Sequence, residues 1–461
     1  MKGKKFLPVV GLDVIVWIYV KVDVMSGTLK FPDGFRWGSA TSAHQVEGGN
    51  YNDWTVWETQ TADRRRLNAE KRRNEFPDHV LNSYPSPLQI ENYISGKACD
   101  SYNRYEEDFD IAKKLNHNIH RFSIEWSRIE PEEGTFDFEA IKHYQRLVKA
   151  LRDRGIEPMA TLWHFTNPVW FADKGGWLNR KAPEYFTKYA KYVVDNLKNE
   201  VGLWITFNEA FTVYAGYTML NATWPSRGRG VFNFFKMRKN IAKAHTLAYR
   251  SIKDIYKNVP PGRALYNDTS HNVMVGITEN NVYVPDTKNF WMTRARRIYR
   301  RLRNLYFFKE NVPYYDFIGL NYYHISRKPA FSKKNEVVSK QEFMKEMNWE
   351  IYPEGMYHVL KDLSKFKKPI YITENGIADR TDQLREKFIK DHLYWIWRAI
   401  QDGADVRGYM YWSLLDNFEW HHGFGPRFGL VEIDYATLER KIRPSAYEYA
   451  KICITNQLEV D

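Results

Sequence analysis

Short apolar, β-branched runs recur along the chain, and the intervals between them are long enough for a helix. Ile119-His-Arg-Phe-Ser-Ile124, Glu157-Pro-Met-Ala-Thr-Leu-Trp-His164, Leu203-Trp-Ile-Thr-Phe-Asn208, Val273-Met-Val-Gly-Ile-Thr278, Asp316-Phe-Ile-Gly-Leu-Asn321 and Lys368-Pro-Ile-Tyr-Ile-Thr373 all read as strands. Eight strands in total alternate with helical stretches such as 104–115, 138–154, 183–199 and 384–402. A chain of 461 residues could hold two or three average domains or one large barrel. No Pro/Gly-rich linker or low-complexity segment divides it. Alternation sustained over about 430 residues therefore points to an α/β fold, a single (β/α)8 TIM barrel with long loops over its C-terminal face. In that fold the carboxyl ends of the strands carry the functional groups.

Two of those ends carry glutamates. Ile372-Thr-Glu-Asn-Gly376 closes one buried strand, and Asn375-Gly376 breaks it. Thr206-Phe-Asn-Glu209 closes another, 165 residues earlier (374 − 209). A strand-end glutamate alone could simply pair with a lysine. Two of them suit glycoside hydrolysis, where one carboxyl protonates a leaving oxygen and the other meets positive charge at the anomeric carbon. Arg121 lies within an apolar strand, and a buried arginine needs a carboxylate partner.

The two glutamate motifs resemble the acid/base and nucleophile motifs of glycoside hydrolase family 1, the β-glucosidase family. The resemblance runs from about Phe31 to Tyr447, with many separate motifs in the family's order. It implies that Glu209 and Glu374 are catalytic. It also implies that Arg121, Tyr323 and Asn321 support the nucleophile. Gln45, His164, Asn208 and Glu419 would bind sugar hydroxyls. Trp412 and Trp420 would line the sugar's face and edge, and Trp349 would stack on the leaving-group side. Phe35–Gly48 looks like the family's first strand and loop, and Gly408–Trp420 like its eighth. Two positions depart from the pattern: Phe165 stands where many relatives carry Trp, and Ala210 where the family usually has Pro. Relatives acting on 6-phosphorylated sugars replace the Glu419 carboxylate and carry a Ser–Lys–Tyr grip. Here Glu419 is retained and residues 421–429 lack that grip, so an unphosphorylated sugar is expected.

The activity this implies is retaining hydrolysis of a terminal non-reducing β-linked sugar, a β-D-glucoside first, with galactoside and fucoside left open. Retention needs carboxyls about 5–5.5 Å apart. No metal or organic cofactor is required, and no metal-ligand spacing or phosphate-binding glycine loop is present. The rival readings are a transglycosylase, a silent sugar-binding protein and a binder of nucleic acid or anionic surfaces. The last rests on the net charge of +12 and two clusters, Arg64–Arg66 with Lys71–Arg73, and Arg294 to Arg303. Without a nucleic-acid motif, both clusters read as solvated outer surface, so small β-glycosides are the expected partners, not nucleic acid or membrane.

Residues 61–97, polar and rich in turn formers, read as a long surface loop above the barrel mouth. Residues 1–27, with three early lysines and an apolar run broken by Asp13, read as an extension preceding a 28–461 glycosidase domain. Secretion by that run is the alternative. Cys99 and Cys453 give no disulfide framework and fit a reducing compartment, the cytoplasm.

Overall fold

The structure is a computed structural model that describes residues 6–11, 14–19, 27–76, 78–220, 223–226, 228–259, 273–326, 343–344, 347 and 349–460. Eight parallel strands close into a barrel: β1 (Arg36–Ala40), β2 (Ile119–Ser123), β3 (Glu157–Thr161), β4 (Leu203–Asn208), β5 (Met274–Asn280), β6 (Phe317–Asn321), β7 (Ile370–Asn375) and β8 (Val406–Trp412). They are neighbours in sequence order, and β8 closes the ring by pairing Trp412 with Ala40 of β1. Strands covered on both faces have no polar face to show, which is why they read as continuous apolar runs.

Among the described residues, nine longer helices accompany the strands: α1 (Asp53–Lys71), α2 (Ser101–Lys114), α3 (Phe138–Asp153), α4 (Ala182–Leu197), α5 (Val231–Tyr256), α6 (Phe290–Arg300), α7 (Glu354–Leu363), α8 (Arg385–Gln401) and α9 (Pro444–Thr455). In α3 the buried residues Ile141, Tyr144, Val148 and Leu151 recur at helical spacing. Its N-cap Asp137 accepts from the backbone N–H groups of Glu139 and Ala140. Gly27–Lys30 pairs antiparallel with Gln457–Val460, joining the two ends of the described domain. Further upstream, Phe6–Gly11 and Val14–Tyr19 form an antiparallel pair; the rest of the 1–27 stretch lies largely outside the described residues.

The loop expected over 61–97 is corrected. Helix α1 continues to Lys71, and short helical turns follow at Arg73–Glu75, Asp78–Leu81 and Ile90–Tyr93. Asn52 starts α1 with a reciprocal capping box to Thr55. The charges that looked like loop are i,i+3 pairs: Arg66 with Asp63, Arg72 with Glu75, Arg73 with Glu70. Only small or polar residues such as Thr61, Ala62 and Ala69 turn inward late in the helix, so no apolar stripe announces it.

The strand breaker after β7 has a steric reason. A Cβ on Gly376 would fall 1.8 Å from the carbonyl oxygen of Trp412. Gly376→Ala is therefore expected to destabilise the fold by about 1–3 kcal/mol. A melting temperature unchanged by that substitution would contradict the packing described here.

Cys99 and Cys453 are free and buried. No helix among the described residues is long and apolar enough to cross a membrane.

Candidate active site

The strand ends of β2, β4, β6 and β7 converge on one hydrogen-bonded group. Glu374, at the end of β7, is buried. Arg121 of β2 donates to its Oε1 at 2.5 Å, and Tyr323 donates its hydroxyl to Oε2 at 2.6 Å. The same guanidinium donates to Asn208 Oδ1 at 2.7 Å, Thr161 Oγ1 at 3.1 Å and the Thr373 carbonyl at 3.3 Å. The partner expected for Arg121 is thus Glu374, reached from across the barrel. Tyr322 turns away and donates to the Tyr352 carbonyl at 2.7 Å, in keeping with a packing role.

Glu209 follows β4 in a left-handed backbone conformation, with φ +48°. A non-glycine residue held there carries roughly 1–3 kcal/mol of strain. Its N–H donates to the Thr278 carbonyl at 2.8 Å, which pins the turn. Ala210, the position without the expected proline, is buried directly behind it. Asn321 donates to Glu209 Oε1 at 2.7 Å and to Asn208 Oδ1 at 3.2 Å, while its own oxygen accepts from Thr373 at 2.8 Å. Asn321, expected to support the nucleophile, stands between the two carboxyls: it donates to Glu209, and its amide also helps to lower the pKa of Glu374.

Both carboxyls line the same cleft, which encloses about 800 Å³ counting its open mouth. Burial raises both pKa values, and the charge of Glu374 adds to the rise at Glu209, bringing it to about 8. At Glu374 burial is opposed by the guanidinium of Arg121 and the hydroxyl of Tyr323. The guanidinium of Arg121 favours the ionised form of Glu374, while burial and the charge of Glu374 favour the protonated form of Glu209. Of these two, Glu374 is the one paired with a guanidinium.

A second chain of bonds fixes His164. Asn208 Oδ1 is taken by Arg121 and Asn321, so its Nδ2 faces His164 Nε2 at 3.0 Å. A donating amide requires a lone pair on Nε2, which puts the imidazole proton on Nδ1. Nδ1 is buried and has no hydrogen-bond partner among the described residues. Burial, then the nearby Arg121, push the His164 pKa well below its ordinary value, so the ring is neutral. It offers one unused N–H donor in the cleft.

Glu419, Trp412 and Trp420 line the cleft beyond His164. The rings of Trp412 and Trp420 each lie 6.0 Å from His164, near parallel to it. Burial, then the charge of Glu374, raise Glu419 to about 8. Gln45 sits on a short helical turn, Ala43–Val46, rather than on the strand itself. Its amide donates to Asn417 Oδ1 and the Phe418 carbonyl, both at 2.9 Å, and to Glu419 Oε2 at 3.4 Å. Its oxygen accepts from Ser42 at 2.6 Å. Gln45 therefore braces the Glu419 loop. Trp349 lines the opposite part of the cleft, 5.5 Å from the ring of Tyr323. Phe165 packs edge-on against Trp420 at 5.0 Å and Trp224 at 4.8 Å, so a second indole occupies its neighbourhood.

Sequence reasoning missed Trp224, Tyr217, Asn280 and Arg303, which also line the cleft. Arg296 and Arg303 belong to the cluster read as solvated surface; Arg296 is buried and Arg303 lines the cleft, so for these two that reading is corrected. Arg296 and Arg303, seven apart, share the face that also buries Phe307. A helical period drawn through 296, 303 and 307 was the available signal.

Comparison with known proteins agrees with this geometry. The sequence model of Glycosyl hydrolase family 1 matches residues 28–280 and 310–458. Beta-glucosidase A of Thermotoga maritima is 32% identical, over 93% of this chain and 99% of its own. The solved beta-glycosidase from Pyrococcus horikoshii superposes with a TM-score of 0.78 at 36% identity, covering 94% of this chain and 96% of that one. A Thermotoga maritima family 1 glycoside hydrolase, complexed with a cyclophellitol analogue transition state mimic, gives a TM-score of 0.78 at 30% identity, covering 94% and 100%. A match of this extent, with the two glutamate motifs at the ends of their strands, means that the chain belongs to glycosyl hydrolase family 1.

Proposed function

We infer that this protein is a retaining β-glycosidase acting on the terminal non-reducing sugar of small β-glycosides, β-D-glucosides first. One observation carries the reading: Glu209 and Glu374, both buried, line a single cleft, and the Arg121 guanidinium pairs with Glu374 alone of the two. Relatives bearing the names beta-glucosidase A and 1,4-beta-D-glucan glucohydrolase support the choice of glucose.

In the proposed reaction the carboxylate of Glu374 attacks the anomeric carbon. Glu209 delivers its proton to the departing oxygen. Esterification removes the charge of Glu374, so the pKa of Glu209 falls. Glu209 then takes a proton from water, which releases the sugar with its β configuration. His164, Asn208 and Glu419 hold the sugar hydroxyls, Trp412 and Trp420 bound its face and edge, and Trp349 takes the leaving group. Gln45 acts by bracing Glu419. No step calls on a cofactor. The glycosidase unit is proposed to span 28–461, with 1–27 an extension; trimming 1–27 should leave turnover intact. The buried free thiols support the cytoplasm as the compartment, and fractionation of source cells that put the activity outside would refute it.

Rates on a panel of nitrophenyl β-glycosides test the reading, with glucoside expected to lead; no hydrolysis of any member would sink it. A pH profile gives a sharper check. Glu209 must carry its proton, and its pKa is raised to about 8. kcat/KM should fall as pH rises through about 8, roughly tenfold per unit beyond it. The acidic limb reports loss of the Glu374 charge, so Arg121→Gln should move that limb upward. A profile flat through pH 8 to about 10 would exclude Glu209 as the proton donor.

A further inference from the structure

Arg303 stands where the family model does not reach, in the gap between residues 280 and 310. That gap holds α6 and the turns after it, which bring Arg303 into the wall of the cleft. The segment is pinned from inside. Arg296 donates to the Pro285 carbonyl at 3.1 Å, and Asn304 donates to the Val282 carbonyl at 2.8 Å. Arg303 is held at one edge only: NH1 donates to the Asn280 carbonyl at 2.9 Å and to Asn304 Oδ1 at 3.1 Å, and NH2 to Asn280 Oδ1 at 3.0 Å. Those bonds use three of the five guanidinium donors and leave Nε–H and one N–H of NH2, the pair suited to a two-oxygen anion. Among the described residues its hydrogen bonds end on amide oxygens and none on a carboxylate. The side chain is partly exposed and lines the cleft.

Arg303 lines the same cleft as Glu209 and Trp349, the residues proposed to meet the leaving group. The charges it feels most among the carboxyls are those of Glu209 and Glu279, not Glu374 or Glu419. Burial raises Glu279 to about 7 and Glu209 to about 8, so near neutral pH they do not fully cancel the guanidinium. A cation fixed by its neighbours and left with free donors in a ligand cleft is the arrangement by which arginine recognises planar anions.

On the reading of the cleft as a β-glycosidase site, we propose that Arg303 recognises a carboxylate on the leaving group, so that the protein favours β-glycosides of acidic aglycones. The net charge of +12 would draw such substrates in. The test compares the β-D-glucoside of 4-hydroxyphenylacetate with the glucoside of the corresponding amide. The methylene insulates the phenol, so the two leaving groups differ in charge and hardly in acidity. The wild-type protein is expected to prefer the acid by about tenfold or more in kcat/KM, as a charge-assisted hydrogen bond provides. Arg303→Gln should lower that acid-to-amide ratio at least about tenfold, while Arg303→Lys keeps part of it. Titration of the free aglycones, followed by tryptophan fluorescence, reads the same preference without turnover. A wild-type ratio near one, or equal losses on both substrates in Arg303→Gln, overturns the assignment and leaves a structural role on Asn280. Hydrolysis of the amide glucoside but no acid preference refutes this proposal alone; hydrolysis of neither glucoside refutes the activity with it.

Discussion

Glu374→Gln is expected to lower kcat for 4-nitrophenyl β-D-glucoside by about four orders of magnitude or more. The change is nearly isosteric, so the cleft keeps its shape, but an amide oxygen cannot attack the anomeric carbon. KM should move far less, because the sugar contacts proposed for His164, Asn208 and Glu419 do not pass through residue 374. The variant also leaves the Arg121 guanidinium without its counter-charge. That guanidinium keeps Asn208, Thr161 and the Thr373 carbonyl, so the fold should survive. A thermal melt on the same sample separates lost chemistry from lost structure. A folded variant that retains more than a tenth of the turnover would remove Glu374 from the reaction.

Glu209→Gln has the next largest effect, and its size should depend on the substrate. With an alkyl glucoside, whose leaving oxygen must be protonated, kcat/KM should fall by about 10²–10⁴. With a 2,4-dinitrophenyl glucoside the leaving group needs no proton, so kcat/KM should fall little. The second half of the reaction still lacks its base, so kcat on that substrate should drop and the glycosyl-enzyme accumulate. The fall in rate above pH 8 should also vanish for the activated substrate. Equal losses on both glucosides would mean that Glu209 holds the site together without transferring a proton.

The strands were legible because each is covered on both faces and shows an unbroken apolar run. Their limits were less so. β3 stops at Thr161, and His164 lies beyond it in a loop where Phe165 has φ +76°. The glutamate motifs could be found by position, since a barrel brings all strand ends to one rim. What the rim residues touch could not. Asn321 reaches Glu209 only because the closed barrel brings the ends of β4 and β6 to one rim, and Gln45 meets Glu419 only once β8 closes on β1. Helix α1 was hidden by its charge, since its inward face carries few large apolar side chains. Arg303 was hidden by its neighbours: in a run of arginines, composition does not say which one points inward.

Glu374 is expected to become bonded to the sugar midway through the reaction. The most direct measurement is a peptide map after incubation with 2,4-dinitrophenyl 2-deoxy-2-fluoro-β-D-glucoside, whose fluorine slows release of the bound sugar. The expected result is one deoxyfluoroglucosyl group per chain, on the peptide that contains Glu374. No adduct alongside rapid inactivation, or an adduct on the peptide of Glu209 or Glu419, would contradict it.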